Sequence, residues 1–499
     1  MSPQRKSLVL VTVDCLRADH CGFYGYSRPA TPFLDTLAKE SFVLPTAFVA
    51  GAPTYFSLPA ILASRMPLAL GREVIGLAPG ETTLASALRE GGYATAAFAG
   101  ANPYISPRFG YDQGFDVFKD FLDREGQLPQ SEGASTSRSR KKPSSTRSKI
   151  NQTLKRTAHA IGLGTFYDEF YFQYRLRLAN SAAAGIDALR RFPTAETVVG
   201  RAVEWLEIVG QKPFFLWLHL MDPHSPYYPT AAAYRELTGK EIRASRAQYL
   251  NEFWNRSDIV PAKLHRKKDS VLELYDAGIR SVDTQIARLV SQLQKSGAWG
   301  DCAFALTADH GEEFLEHGGR YHAPVGLHEE IVRVPLLIRV PGVAKTDAPT
   351  SGFSHLHLAP TLLDVLEMPQ PASFRGTSLW GNIRDGRPWD DNGIMECING
   401  CTNPLRREDR MGARLLGIRT SGHKLTMRMG AASTEDLYDL QADPAEKQPI
   451  EPTARKEIRR QALSLARKHM EEVVSSENVK LRLKARLQDL RVELQSKSH

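Results

Sequence analysis

Long apolar runs are missing from this 499-residue chain. No stretch approaches the ~20 apolar residues that a membrane span needs. The N-terminal MSPQRKSLVLVTVDCL is apolar only from Leu8 to Val13 before Asp14 interrupts it, a strand's length and not a signal core. The expected compartment is therefore the cytoplasm. Cysteine is scarce as well. The five residues Cys15, Cys21, Cys302, Cys397 and Cys401 are odd in number and lack metal-finger spacing, so a disulfide framework is not indicated. Where positive charge concentrates, aromatic residues are absent, which argues against a nucleic-acid partner.

What remains is an ordinary globular composition, 42% hydrophobic and 24% charged, in a chain long enough for one large domain with appendages. The formal charge of +8 is mostly local, because residues 131–156 carry eight Lys or Arg against one Glu in a Ser-rich stretch. Such a segment cannot bury a core and reads as a solvated basic loop, with contact to an anionic membrane surface or polymer as the alternative.

Five apolar runs have strand length: LVLVTV from 8, ATAAFAG from 94, PFFLWLHL from 213, CAFALTAD from 302 and VPLLIRV from 334. Their hydrophobicity is continuous rather than alternating, as in strands covered on both faces of a parallel sheet. Helical patterns such as TPFLDTLAKES, TTLASALREGG and VVGRAVEWLEIV lie between them. The alternation predicts a doubly wound α/β layer structure, whose ligand site lies outside the carboxyl ends of the strands. Asp14, the pair Asp309 and His310, and the pair Asp222 and His224 all follow strands at that kind of position. Each alone reads as a cap or turn residue; together they point to a metal or catalytic centre, within which Asp222, before Pro223, reads as a structural turn residue with a second-metal role as the alternative.

The stretch GAPTYFSLPAILASRMPL, residues 51–68, sets the hydroxyls of Thr54 and Ser57 just ahead of an apolar helical run. Helix capping is the ordinary use of such residues, and an exposed nucleophile at a helix N-terminus is the other. Beyond about 385 the pattern changes to short antiparallel strands and turns in LLGIRTSGHKLTMRMG and TEDLYDLQADPAEKQ. From Pro452 the chain is charged, with Leu483, Leu487, Leu490 and Leu494 spaced as one helix stripe. Two heptads fit a helix docked on its own domain better than a coiled coil.

Six blocks carry a family likeness. VTVDCLRADHCGFYGYSRPATPFLDTLA resembles the opening motif of the sulfatase branch of the alkaline-phosphatase superfamily. PFFLWLHLMDPHSPYYP, LTADHGEEFLEHGG, HEEIVRVPLLIRVPG, LAPTLLDVLEMP and DLYDLQADPAEK resemble its later blocks in the same order. The resemblance spans roughly residues 7–125 and 195–450. It implies an α/β/α sandwich with a largely parallel sheet over residues 1–385, interrupted by an insertion at 126–194. A small C-terminal α+β subdomain at 386–451 and a charged helical tail at 452–499 would follow.

By the same resemblance Asp14, Asp309 and His310 bind a divalent metal, with the nucleophile oxygen as a further ligand. His224 and His322 match positions that contact the ester's oxygens or protonate the leaving group, and His317 is a further candidate. Two carboxylates and an imidazole suit Zn²⁺ or Mn²⁺ better than Ca²⁺ or Mg²⁺. The nucleophile departs from the common pattern. Where most members have Cys or Ser, matured to formylglycine and followed by Pro and Arg, alignment places Thr54, followed by Tyr55, Phe56, Ser57 and Leu58. This resembles the branch with an unmodified threonine, with Ser57 as the fallback. A second departure is Cys15, which stands where many members have a second carboxylate.

A formylglycine hydrate releases sulfate by collapsing to an aldehyde. A threonine ester must instead be cleared by attack of water or an alcohol on the central atom, which favours phosphate esters. The expected activity is thus a metal-dependent hydrolase or transferase forming a covalent Thr54 ester, on a small molecule, a glycan or a lipid head group. A true sulfatase of a sugar or polysaccharide is the alternative of the same fold. A catalytically silent, surface-binding relative is the alternative of another class. Oligomeric state stays open.

Overall fold

The computed structural model describes residues 5–122, 185–430 and 433–473. The basic stretch at 131–156, most of the insertion at 126–194 and the leucine stripe at 483–494 lie outside them. Two compact units emerge. The larger takes in Met1–Leu122, Phe192–His224 and Ile279–His499, the smaller Asp123–Arg191 and Ser225–Gly278. Among the described residues no helix is long and apolar enough to cross a membrane.

The larger unit is organised by a seven-stranded sheet. Its strands are β1 (Ser7–Val13), β2 (Phe42–Val43), β3 (Ala94–Ala99), β4 (Val117–Lys119), β5 (Phe214–Leu220), β6 (Cys302–Ala308) and β7 (Leu336–Arg339). Their spatial order is β2–β7–β6–β1–β5–β3–β4. Strands β1, β3, β4, β5 and β6 run parallel, while β7 is antiparallel to both β6 and β2. Every residue of β1, β5 and β6 is buried. Since successive side chains point to opposite faces, both faces of the central strands are covered. The α/β class with a mostly parallel sheet is therefore as expected.

The five apolar runs are all strands, but the last is shorter than 334–340 and reversed in sense. A fully buried strand has the same residue pattern in either direction, so the pattern predicts burial and not sense. The two-residue β2 and three-residue β4 are too short to leave a periodic signal.

The C-terminal part holds a four-stranded antiparallel sheet of Gly393–Ile398, Arg414–Thr420, His423–Met429 and Thr434–Asp439, adjacent in chain order. Its central hairpin turns at Ser421 and Gly422, both with positive φ (51° and 72°), the two-residue geometry that matches strand twist. Helical residues 456–473 bury Ala462 and Ala466 against Leu416, Ile418, Leu425 and Leu437 of this sheet. In the smaller unit, helices Ala231–Thr238 and Ala244–Trp254 are held by polar contacts such as Asn251 to the backbone of Tyr227 and Tyr234 to Glu273.

Candidate active site

Parallel pairing sets the site. Val13 of β1 stands opposite Ala308 of β6, so the next residue on each strand, Asp14 and Asp309, emerges at the same sheet edge. On the other side of β1, the Asp14 N–H donates to the Leu220 carbonyl at the end of β5 (2.9 Å). Three neighbouring strands thus deliver their following residues to one place, as the carboxyl-end rule anticipates.

Asp14, Asp309 and His310 are fully buried. Asp14 Oδ2 accepts a hydrogen bond from Asn102 Nδ2 (2.9 Å) and lies 3.2 Å from His219 Nε2. Its Oδ1 accepts from Cys15 Sγ (3.0 Å) and lies 3.7 Å from His310 Nε2. Asp309 Oδ1 accepts the His310 N–H (3.0 Å), and Oδ2 lies 3.6 Å from His310 Nε2. That Oδ2 has no hydrogen-bond partner among the described residues. His310 Nδ1 sits 2.8 Å from the Gly311 carbonyl, an acceptor, so Nδ1 carries the proton and Nε2 the lone pair. Burial alone would push the Asp14 carboxyl up, but the imidazoles of His224, His219 and His310 outweigh it and hold the group well below the usual carboxylate range.

Thr54 closes the cluster from a different element. Its Oγ1 lies 3.2 Å from His310 Nε2. The residue opens the fully buried helix Thr54–Ala63, whose N-cap position is taken by Pro53 without any side-chain cap bond. The Thr54 hydroxyl is therefore not the cap, and it faces the Asp14–Asp309–His310 cluster instead. Ser57, one turn further on, is buried with its Oγ unpaired among the described residues.

These atoms fit a divalent cation. His310 Nε2 lies within 3.2–3.7 Å of oxygens from Thr54, Asp309 and Asp14. Two ligands each about 2.1 Å from a tetrahedral cation are about 3.4 Å apart. An unpartnered carboxylate oxygen in a fully buried setting is costly unless something positive meets it. Among the described residues, the only ionisable nitrogens within ion-pair distance of Asp14 or Asp309 belong to His219 and His310.

A second group of side chains lies beside this cluster. The His322 ring is 4.6 Å from that of His310 and 5.0 Å from that of His224, centroid to centroid. His322 Nδ1 is 2.7 Å from Glu312 Oε2, so the carboxylate fixes the ring, and Phe192 meets the His224 ring edge-on. Cys15 has the left-handed backbone (φ 62°) that non-glycine residues adopt only locally. Its Sγ lies 3.4 Å from His322 Nδ1. Burial, then the charges of Glu312, Asp14 and Asp309, push this thiol well up from its ordinary value.

Asp222, expected to be structural, and the candidate His317 fall elsewhere. Asp222 Oδ2 accepts the N–H of Ala195 (2.8 Å), the first residue of helix Ala195–Val209, and so anchors a helix start. His317 engages both ring nitrogens away from Thr54, Nδ1 with Glu330 Oε1 (2.5 Å) and Nε2 with the Glu446 carbonyl (3.0 Å), and stacks on His328 at 3.6 Å. Four contributors escaped the sequence reading: His219, Asn102, Glu312 and the Cys15 side chain as part of the pocket. Asn102 and Glu312 follow strands β3 and β6 closely, so the carboxyl-end rule could have flagged them. His219, bonded through Nδ1 to Thr12 Oγ1 (2.9 Å), had a weaker signal, a lone imidazole inside an otherwise apolar strand.

The sulfatase family model matches residues 6–368, most of the chain and all of the cluster. The chain belongs to the sulfatase family. A second model, the C-terminal part of N-sulphoglucosamine sulphohydrolase, matches residues 317–472. Among curated relatives, an N-acetylglucosamine-6-O-sulfatase of Bacteroides thetaiotaomicron is 30% identical over 178 residues, 35% of this chain and 31% of its own length. This sulfatase-family chain thus spans about a third of that relative. Among solved structures, a protein in complex with its substrate D-glucosamine-2-N,6-O-disulfate superposes with a TM-score of 0.68 at 18% identity, covering 94% of this chain and 98% of that one. The phosphonate monoester hydrolase of Agrobacterium radiobacter gives 0.60 at 19% identity, covering 95% and 96%. At those identities the likeness speaks for the fold alone.

Proposed function

We propose that the chain is a metal-dependent ester hydrolase or transferase that works through a covalent ester on Thr54. The observation that carries this reading is the Thr54 hydroxyl, 3.2 Å from the lone-pair nitrogen of His310 and in one buried cluster with Asp14 and Asp309. Asp14, Asp309, His310 and the Thr54 oxygen would hold a divalent cation, Zn²⁺ or Mn²⁺ by the chemistry of the donors. Such a cation, when bound, lowers the pKa of a neighbouring hydroxyl and offsets charge on the ester's oxygens.

The chain's own residues do the rest. Asp14 is fixed by Asn102 and His219, and His310 by its bond to the Gly311 carbonyl, so the acceptors are held before substrate arrives. Thr54 Oγ, its proton released to solvent, bonds to the central atom of the ester as the bond to the leaving oxygen breaks. The leaving oxygen takes a proton supplied from the His224 and His322 side. Water or an acceptor alcohol then attacks the central atom of the threonine ester, loses a proton to that side, and the Thr54 oxygen departs and is reprotonated.

This route has no aldehyde to collapse into, so attack at the central atom must clear the ester, and phosphorus is the better substrate for that step. A phosphate mono- or diester is the favoured substrate class. The second reading, a sugar sulfate, is favoured by the sugar-sulfatase name of the curated relative and by the glucosamine disulfate bound to the structural one. A panel of an aryl sulfate, a sugar 6-sulfate and a phosphodiester, assayed at matched cation loading, separates the two. The expected result is faster turnover of the phosphodiester, with loss of all turnover in a folded Thr54→Ala variant. Wild-type rates in that variant would overturn the mechanism, and turnover confined to the sulfates would select the second reading.

A further inference from the structure

We propose that Glu396, held by His469 of the C-terminal helix, is a positioning residue for Thr54, because it clasps the chain on both sides of the helix that Thr54 opens. The inference rests on Thr54 being the nucleophile, and it deepens that reading.

The clasp is built from one strand edge and one carboxylate. Strand Gly393–Ile398 forms an edge of the C-terminal sheet, and its Glu396 N–H leaves that sheet to donate to the Ala50 carbonyl (2.9 Å), just ahead of Thr54. The Glu396 side chain reaches the other end. Its Oε1 accepts the Leu68 N–H (2.9 Å), beyond the helix Thr54–Ala63. Between these two bonds, the Tyr55 hydroxyl donates to the Cys401 carbonyl, on the chain that follows the same strand. Glycine is needed where the two segments meet. A methyl group at Gly51 would collide with the Glu396 carbonyl oxygen and stand 2.8 Å from Pro67 Cγ.

The carboxylate is itself held. Glu396 is fully buried, and its Oε2 meets His469 Nε2 (2.9 Å) and the Arg414 guanidinium (3.4 Å). Burial pushes this carboxyl up, but His469, then Arg414 and the Leu68 N–H, outweigh it and hold the group below its usual value. Met470, the next helix residue, also touches Arg414, with Sδ 3.2 Å from the guanidinium. Such a buried ionic group adds little net stability over apolar packing. What it supplies is register, since the segments around Ala50, Leu68, Arg414 and His469 are all tied to one residue. Attack by Thr54 needs that register, because a misplacement of about 1 Å costs up to about 100-fold in rate. Glu396 and His469 both lie beyond residue 368, where the sulfatase model ends. The C-terminal helix is thereby part of the working enzyme.

Kinetics of the full-length, cation-loaded protein on bis-p-nitrophenyl phosphate and p-nitrophenyl sulfate are read beside hydrogen exchange in the peptides covering 51–68. Glu396→Ala should lower kcat about 100-fold on whichever ester is turned over, with KM within about twofold, and speed exchange in those peptides. Glu396→Gln, whose amide oxygen still accepts the Leu68 N–H, should recover most of the rate. His469→Ala should lose about 10-fold, and His469→Gln, which keeps a donor for Oε2, should regain it. Gly51→Ala disturbs the clasp without touching the carboxylate and should lower kcat likewise. Lys424→Met breaks a buried ion pair with Glu446 (2.7 Å) from the same sheet, and controls for loosening alone. It should keep wild-type kcat where circular dichroism shows it folded. Wild-type kcat in folded Glu396→Ala overturns the proposal, as does a loss in Lys424→Met as deep as that in Glu396→Ala. If Glu396→Ala does not fold, wild-type kcat in both His469→Ala and Gly51→Ala overturns it equally. Thr54→Ala should lose turnover with exchange in 51–68 unchanged, so failure of the nucleophile shows in that variant and failure of the clasp in the others.

Discussion

Two buried clusters of imidazoles and carboxylates in the larger unit differ in what answers their negative charge. Around Thr54, the only ionisable nitrogens within ion-pair distance of Asp14 and Asp309 among the described residues are those of His219 and His310, and one Asp309 oxygen has no hydrogen-bond partner there. Around His317, Glu329 meets Arg419 (3.1 Å) and Lys424 (3.0 Å), Lys424 also meets Glu446 (2.7 Å), and His317 bonds to Glu330 (2.5 Å). Proximity of donors does not tell them apart, because Glu313, His317 and Glu330 also lie within 4.8 Å of one another. The difference is closure. In the second cluster Arg419 and Lys424 answer Glu329 and Glu446, while the His317 ring answers Glu330 and the N–H groups of His317 and Gly319 answer Glu313; the first still calls for a cation.

The largest effect should come from Asp309→Asn. It should lower cation affinity by at least ~100-fold and remove turnover, while the thermal midpoint without cation holds or rises, because an unmatched buried charge is gone. Cation titration beside thermal unfolding checks this; a large loss of stability would make the first cluster as closed as the second. Lys424→Met is the converse. Burial pushes the Glu446 carboxyl up, but Lys424, with His328, outweighs it and pulls the group to about 2. Stranding that carboxylate should cost about 3–5 kcal/mol in denaturant unfolding, with cation affinity unchanged in the folded protein.

His355 offers a third environment with neither metal donors nor a carboxylate beside it. It is fully buried, bonded to Thr307 Oγ1 at 2.8 Å, and burial drives its pKa down to about 3. The unfolded chain, titrating near 6.5, then binds more protons than the folded one as the pH falls below that value. Stability is therefore complete above about pH 6.5 and is lost on acidification, by about 2 kcal/mol on reaching pH 5. Folded His355→Gln should flatten that part of the pH–stability curve. Smallest of all, His317→Gln should cost about 1 kcal/mol and leave turnover within twofold. A collapse of activity there would return His317 to the catalytic side of the comparison.

How much was legible beforehand follows from what a pattern can encode. Buried strands announce themselves by composition, so β1, β5 and β6 were readable, and with them Asp14, Asp309 and His310 at their ends. The strand-end rule alone does not separate Asp222 from the residues that face Thr54, because both kinds follow a strand; the Asp-Pro turn does, and Asp222 anchors a helix start. Cys15 read as a missing carboxylate, since the backbone turn that puts its sulfur next to Asp14 and His322 has no signature in composition. His317 sits eight residues beyond Asp309, yet its ring leaves for Glu330 and Glu446, partners fixed only when the C-terminal sheet folds back.

The most direct test of the account is a covalent trap. The cation-loaded protein is quenched with acid during turnover of its best ester, digested, and the peptides mapped by mass. The expected result is one added phosphoryl or sulfuryl group on the peptide from 51–68, located by fragmentation at Thr54. The group on Ser57 instead, or sustained turnover with an unmodified peptide, would contradict it.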